Sequence, residues 1–272
     1  MKKMDECGQL LLIAGFAIGL LLLISTVLLN SIIFTSNIAA ESSADSTGYD
    51  TANIIQLTSH AFQEAHENDR SFNESYLESF TSNMKLMYAH SGYIVSITNG
   101  SFYDPYFTEN GQSDGNHNWT VVKSVENVSD FKITIPENNF TESEHFQIKI
   151  SGLDNEMLWL MTLRGIESGV NITVKNSTDL IYSSENSSTY LDLDIIENSD
   201  YHYEENTQKG PYNIQFVNGS HAEGYYLIEG ELAGGMEFKT SRKYMVDADI
   251  SLRSDERTVR ISVPVSIPIN ND

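Results

Sequence analysis

A chain of 272 residues with 38 acidic and 16 basic side chains carries a formal charge of −22, which argues against nucleic acid and anionic lipid surfaces as partners of its body. Its apolar content of 40% is ordinary for a folded chain and excludes disorder throughout. The single cysteine, Cys7, precedes the longest apolar run, so no disulfide framework exists and a core must hold whatever lies beyond.

Residues 1–9 read as a cytoplasmic stub. Lys2 and Lys3 are the only basic residues before Arg70, and the positive-inside rule then puts the N-terminus in the cytoplasm and the bulk of the chain outside. Residues 10–34 hold no charge. At ~1.5 Å per residue they make a helix of about 37 Å, enough to cross a ~30 Å hydrocarbon core with some tilt. A transmembrane helix is therefore expected over 10–36, as an uncleaved signal-anchor. The run is too long for a secretory signal core, and Ile38-Ala39-Ala40 makes a poor cleavage site. A second reading is prepilin-type processing after Gly8, leaving Gln9 as the new N-terminus ahead of the apolar helix; a mature chain that starts at Gln9 would mark it. Gly15 and Gly19 form a small-xxx-small pair on one helical face, which lets two helices approach closely in lipid.

The sequence Gly8-Gln-Leu-Leu-Leu-Ile-Ala14, the apolar run, and Leu28-Leu-Asn-Ser-Ile-Ile-Phe-Thr-Ser-Asn-Ile-Ala39 together resemble the N-termini of archaeal single-pass envelope proteins, some of them pilin-like. The resemblance covers about 35 residues, a membrane-spanning length with its flanks. It implies an archaeal cell surface and no particular activity.

Residues 37–92 read as a linker followed by a helical hairpin. Ile54, Ile55, Leu57, Ala61, Phe62 and Ala65 fall near helical spacing over 51–67. A second helix is announced by a capping box, Ser71 with Glu74, and by Phe72, Tyr76, Phe80, Met84, Met87 and Tyr88 at intervals of three and four, ending near Ser91-Gly92. From Tyr93 the period becomes two. Strands are expected at 93–98, 119–122, 131–135, 146–150, 157–163, 170–174, 190–196, 212–217, 225–232, 243–252 and 258–267, parted by Asn, Gly, Asp and Ser clusters. The last two form a hairpin around Ser254–Arg257, Gly234-Gly235 reads as a turn or bulge, and 101–118 as a long loop. The fold class is α+β: an N-terminal transmembrane helix, a short helical pair, then a mainly antiparallel, sandwich-like β domain over 93–272 outside the membrane.

Candidate sites lie almost wholly on the outer side. Asn73, Asn99, Asn118, Asn127, Asn139, Asn171, Asn176, Asn186 and Asn218 each begin an Asn-x-Ser/Thr acceptor with x not proline, roughly twice the number that composition gives by chance. Asp192 with Asp194, and Asp247 with Asp249, share a strand face, and Asp114 sits in an oxygen-rich loop. These five are candidate ligands for a hard cation such as Ca²⁺, although the loop fails the EF-hand pattern. None of the seven histidines has zinc-ligand spacing, and no nucleophile elbow or phosphate-cradling loop occurs. No catalytic residue and no cofactor is therefore expected.

These features point to a non-enzymatic, membrane-anchored, N-glycosylated envelope protein with a structural, adhesive or scaffold role. Its partners would be membrane lipid through the N-terminal helix, and a second copy or another envelope protein, with no nucleic acid. The alternatives are a pilin-like subunit assembled through its apolar helix and a membrane-tethered hydrolase or solute-binding domain.

Overall fold

The computed structural model describes residues 51–67, 70–136, 144–167, 169–188, 190–208, 210–255 and 257–269. The expected stub, the transmembrane helix with Gly8, Gln9, Gly15 and Gly19, and the acceptor Asn139 lie outside these residues. No helix among the described residues is long and apolar enough to cross a membrane. Two compact units divide the chain, Met1–Leu57 and Thr58–Asp272. Of the first, only residues 51–57 are described, as the start of helix α1, which runs over 51–65.

In the second unit α1 buries Thr58, Ala61, Phe62 and Ala65, one face at the helical period. Helix α2, Glu74–Ala89, buries Leu77, Met84 and Tyr88 and leaves Tyr76, Leu86 and Met87 exposed. The start of α2 departs from the expected capping box. Asn73 is the N-cap, with its Oδ1 accepting the Tyr76 amide at 3.0 Å, and Ser71 lies outside the helix. The reason is the connection behind it: the Asn73 amide donates to the Ala65 carbonyl at 2.7 Å and Glu67 to Ser71 at 3.0 Å, so the chain is still turning back at Ser71. Asn73→Ala is expected to cost about 1 kcal/mol, whereas Asn73→Asp, which retains a capping oxygen, leaves stability near that of the parent. Denaturant unfolding monitored by circular dichroism checks both.

The strands are β1 (Ile94–Tyr103), β2 (Trp119–Ile135), β3 (His145–Gly152), β4 (Met157–Ile166), β5 (Gly169–Asn176), β6 (Leu180–Asn186), β7 (Leu191–Asp194), β8 (Tyr212–Val217), β9 (Tyr225–Leu232), β10 (Met236–Arg242), β11 (Tyr244–Arg253) and β12 (Thr258–Ile267). All pairings are antiparallel. A three-stranded sheet has the order β1-β11-β12, and a nine-stranded sheet runs β10-β9-β2-β8-β3-β4-β5-β6, with β7 paired to β2. The sequence-based expectation of a mainly antiparallel, sandwich-like β domain thus agrees with the strands found. Two expected runs, 119–122 and 131–135, prove to be one strand. β2 continues through 17 residues because bulges between Val122 and Val125 and between Val128 and Asp130 absorb the break in alternation, with Ser124 in the left-handed region at φ 55°.

Each sheet has its own apolar neighbours. The small sheet is covered by the helices: Phe72 packs on Phe62 at 5.3 Å and on Phe102 at 4.7 Å between ring centroids, and Gln63 Nε2 donates to the Ser266 carbonyl at 2.9 Å. The large sheet surrounds a core that includes Phe131, Ile133, Phe146, Ile148, Trp159 and Phe216. Two inserted segments close that core. One is a 3-10 turn at Ser199–Tyr201 leading into helix α3, Tyr203–Thr207. It brings Tyr201 and Tyr203 inward, and the Trp159 indole donates to the Tyr201 carbonyl at 2.8 Å. The other is the segment between β1 and β2, which contributes Phe107.

Two tyrosines, Tyr203 buried in this core and Tyr225 half-buried at its margin, shape the behaviour of the domain in alkali. Burial pushes Tyr203, whose hydroxyl donates to Tyr212 at 3.3 Å, well above the ordinary tyrosine range. Burial, with a hydrogen bond to Tyr190, carries Tyr225 to about 12 from a reference of 10.0. A phenol whose folded pKa exceeds its unfolded value keeps its contribution below the unfolded value and loses it as pH rises toward the folded one. Stability is therefore expected to be insensitive to these groups up to about pH 10 and to fall between 10 and 12. Thermal melts, with tyrosinate absorbance appearing together with unfolding, check this.

Candidate functional site

The segment 104–118 is the longest without regular structure among the described residues, yet its interior is fixed. Phe107 is fully buried, stacked on Phe146 at 4.5 Å and 18° and edge-on to Phe216 at 5.3 Å. Its backbone amide donates to the Gly219 carbonyl at 3.0 Å. Gly219 has no room for a side chain, since a Cβ there would lie 1.9 Å from the Phe107 oxygen.

A guanidinium holds the other half of the loop. Arg242, at the end of β10, is 6% exposed. Its Nη1 donates to the Thr108 carbonyl at 2.7 Å, its Nη2 to Glu109 at 2.8 Å and its Nε to Ser266 Oγ at 3.2 Å. The charge lies 5.1 Å from the Trp119 ring and 5.9 Å from that of Tyr226. Among the described residues no carboxylate forms an ion pair with it. Loop carbonyls and ring faces replace water around the charge, and burial draws its pKa down. Gly111, at φ 76°, passes so close that a Cβ would meet Met245 Sδ at 2.8 Å. The loop is thus shaped around a cation, and its outer surface is held in place.

That outer surface forms a shallow groove of about 340 Å³ lined by Tyr103, Tyr106, Gln112, Ser113 and Asp114. Tyr103 donates to Asp247 Oδ1 at 3.1 Å, and burial raises its pKa. Tyr106 is hydrogen-bonded to Glu223, which raises its pKa in turn. The groove offers two neutral phenols, a carboxamide, a hydroxyl and a carboxylate, a set suited to hydrogen bonding. A second groove of about 570 Å³ runs over β2, β9 and β10, lined by Asn127, Glu229, Glu231, Glu237, Phe238 and Lys239 among others. Lys239 pairs there with Glu229 at 2.9 Å, while Glu231 and Glu237 stand directly opposite each other.

The five candidate cation ligands are dispersed. Asp192 and Asp194 do share a face of β7, but Asp192 accepts from Thr134 at 2.9 Å, and Asp194 accepts the Glu197 amide and lies 3.7 Å from Lys132. Asp247 is engaged by Tyr103, Asp249 is exposed opposite Thr98, and Asp114 belongs to the loop groove. Among the described residues no three His, Cys, Asp or Glu side chains gather as a metal site would require.

The described acceptor asparagines all reach the surface. Asn73, Asn99, Asn118 and Asn127 are exposed, while Asn171, Asn176, Asn186 and Asn218 are half-buried. Two amide nitrogens are in use: Asn176 Nδ2 donates to Asn206 at 3.2 Å, and Asn218 Nδ2 lies 2.8 Å from His145 Nε2. Arg242 and Phe107 were beyond sequence reasoning. In the sequence Arg242 sits beside Lys243 at the end of a polar run, more than 120 residues from the loop it holds, and nothing there marks it.

Comparison with family models, with curated proteins and with solved structures found no match for this chain.

Proposed function

We propose that this is a membrane-anchored, N-glycosylated, acidic protein of the cell envelope, with a structural, adhesive or scaffold role for its outer β domain. The observation that carries the reading is the placement of the acceptor asparagines. None of the eight described ones is buried, and they are spread over α2, both sheets and the turns between strands. No described asparagine of any kind is buried, as is usual for this residue, so the placement supports the reading by leaving the acceptors within reach, and their number, roughly twice that expected from composition, adds to it. The shallow grooves are consistent with contact through surface chemistry. Their polar walls suit hydrogen-bonded contacts better than enclosure of a small apolar molecule.

Intact-mass spectrometry of the protein isolated from its own envelope tests this. The expected result is a set of masses above the bare 30.5 kDa chain, with glycopeptides mapping to Asn73, Asn99, Asn118 or Asn127. A single bare mass would sink the glycosylated reading. Recovery in the soluble fraction of gently lysed cells, with the N-terminus intact, would sink the anchored one.

A further inference from the structure

The large sheet ends at β6, whose only partner among the described residues is β5. An outermost strand presents unpaired amides and carbonyls, a template for a second chain, and folded proteins blunt it with lysine, proline, bulges or cover. The other long outer strands have such devices: β1, although uncharged, is broken by a bulge between Asn99 and Phe102. β12 contains Pro264, and β10 carries Glu237 and Lys239. β6 reads Leu-Ile-Tyr-Ser-Ser-Glu-Asn, with no proline, no lysine or arginine and one charge, Glu185. Leu180 is 65% exposed, and Ile181 and Tyr182 are half-buried. Apolar over its first three residues, β-prone and nearly uncharged, it is an edge open to pairing.

Acceptor asparagines surround this edge. Asn176 is the last residue of β5, at the turn that leads into β6, Asn186 is the last residue of β6, and Asn171 on β5 stands opposite Glu185. Asn176 Oδ1 accepts the amides of Thr178 and Asp179 at 3.0 and 2.8 Å, which fixes its side chain at the mouth of the strand. Its Nδ2 bond to Asn206 is compatible with a sugar, because an N-glycosidic amide keeps one hydrogen. Asn186 Oδ1 accepts the Ser188 amide at 2.8 Å, leaving its nitrogen for a glycan.

We propose that glycans at Asn171, Asn176 and Asn186 shield the β6 edge and keep it from pairing with the β6 edge of a second copy. The proposal rests on the glycosylated reading given above. Seven residues of strand span about 23 Å, so a glycan at each end overhangs the path of an incoming strand. Antiparallel pairing of two such edges sets the Asn176 end of each against the Asn186 end of the other. Both glycosylated ends would then crowd one seam.

The test uses the full chain in detergent, expressed in a glycosylating host, with particle mass read by light scattering. Asn171→Gln/Asn176→Gln/Asn186→Gln is expected to form dimers or larger species at concentrations where the native glycoprotein keeps its original mass. Adding Ser183→Lys, a charge on the exposed face in the middle of β6, is expected to restore that mass. Enzymatic removal of the glycans from the folded native protein should give the same association without any substitution. If sugar is present at these sites and its removal by both routes leaves the particle mass unchanged, the shielding proposal fails and the glycosylated reading stands. Association that persists with Ser183→Lys also overturns it. Absence of sugar at all three sites in the native protein removes the shield itself, and the glycosylated reading then depends on the other acceptors.

Discussion

Arg242→Ala is expected to lower stability by about 3–4 kcal/mol, roughly 10 °C in melting temperature for a domain of this size. The substitution removes the donors to the Thr108 and Glu109 carbonyls and the cation beside Trp119 and Tyr226. Charge-assisted hydrogen bonds contribute about 1.5–3 kcal/mol each, and a partly desolvated cation over a ring about 1–2. Water entering the vacated space offsets part of the sum. Arg242→Lys keeps the charge but cannot serve two carbonyls and Ser266 with one planar group, so it is expected to recover less than half of the loss. Limited proteolysis separates a local from a global effect. Cleavage within 109–116 should accelerate in both variants under conditions where the β strands remain protected from hydrogen exchange. Unchanged cleavage with unchanged melting would show that the loop does not depend on the guanidinium.

Phe107→Ala is expected to cost about 3–5 kcal/mol, the range for deleting a fully buried aromatic ring. Phe107 joins the same loop to the core of the large sheet through Phe146 and Phe216. The two side chains hold adjoining residues of one segment, so their losses should not add. Once the ring is gone, the carbonyl of the neighbouring Thr108 has less reason to stay beside Arg242. The double variant is expected to lose 1 kcal/mol or more less than the sum of the singles. Denaturant titration of the four proteins measures this coupling, and strict additivity would mean that the two ends of the loop are held independently.

The strands that sequence reasoning locates well are those with one face in a core. β3, β5, β8 and β11 alternate apolar and polar residues because the period of two carries their inward side chains into the sheet interior. β6 and β10 went unpredicted for the complementary reason. Lying outermost, they bury few side chains, and Ser183-Ser184-Glu185 or Glu237 with Lys239 reads as loop. The double glycine Gly234-Gly235 marked the turn before β10 but gave no hint that pairing resumed after it, with Met236 opposite Leu232. The capping box failed because Asn73 offers as good a cap as Ser71, and the choice is made by the backbone bond to Ala65. The site was least legible of all. Arg242 binds carbonyls that every residue possesses, so no motif records its partners. The cation pairs Asp192 with Asp194 and Asp247 with Asp249 were read correctly as sharing a face, but that spacing says nothing about Thr134, Lys132 or Tyr103, the groups that occupy them.

The long bent strand β2 imposes an order of events on synthesis. Its N-terminal half pairs with β8, its C-terminal half with β9, and β1 pairs with β11. Each of these ladders joins segments that leave the ribosome far apart, and loop closure over such separations is slow. Neither sheet can be completed until the final third of the chain has emerged. During that interval β2 is a 17-residue strand without its main partners, exposed to aggregation. The same delay is an opportunity. If Asn176 and Asn218 carry glycans as proposed, the modifying enzyme would reach their amide nitrogens most readily before folding ties them to Asn206 and His145.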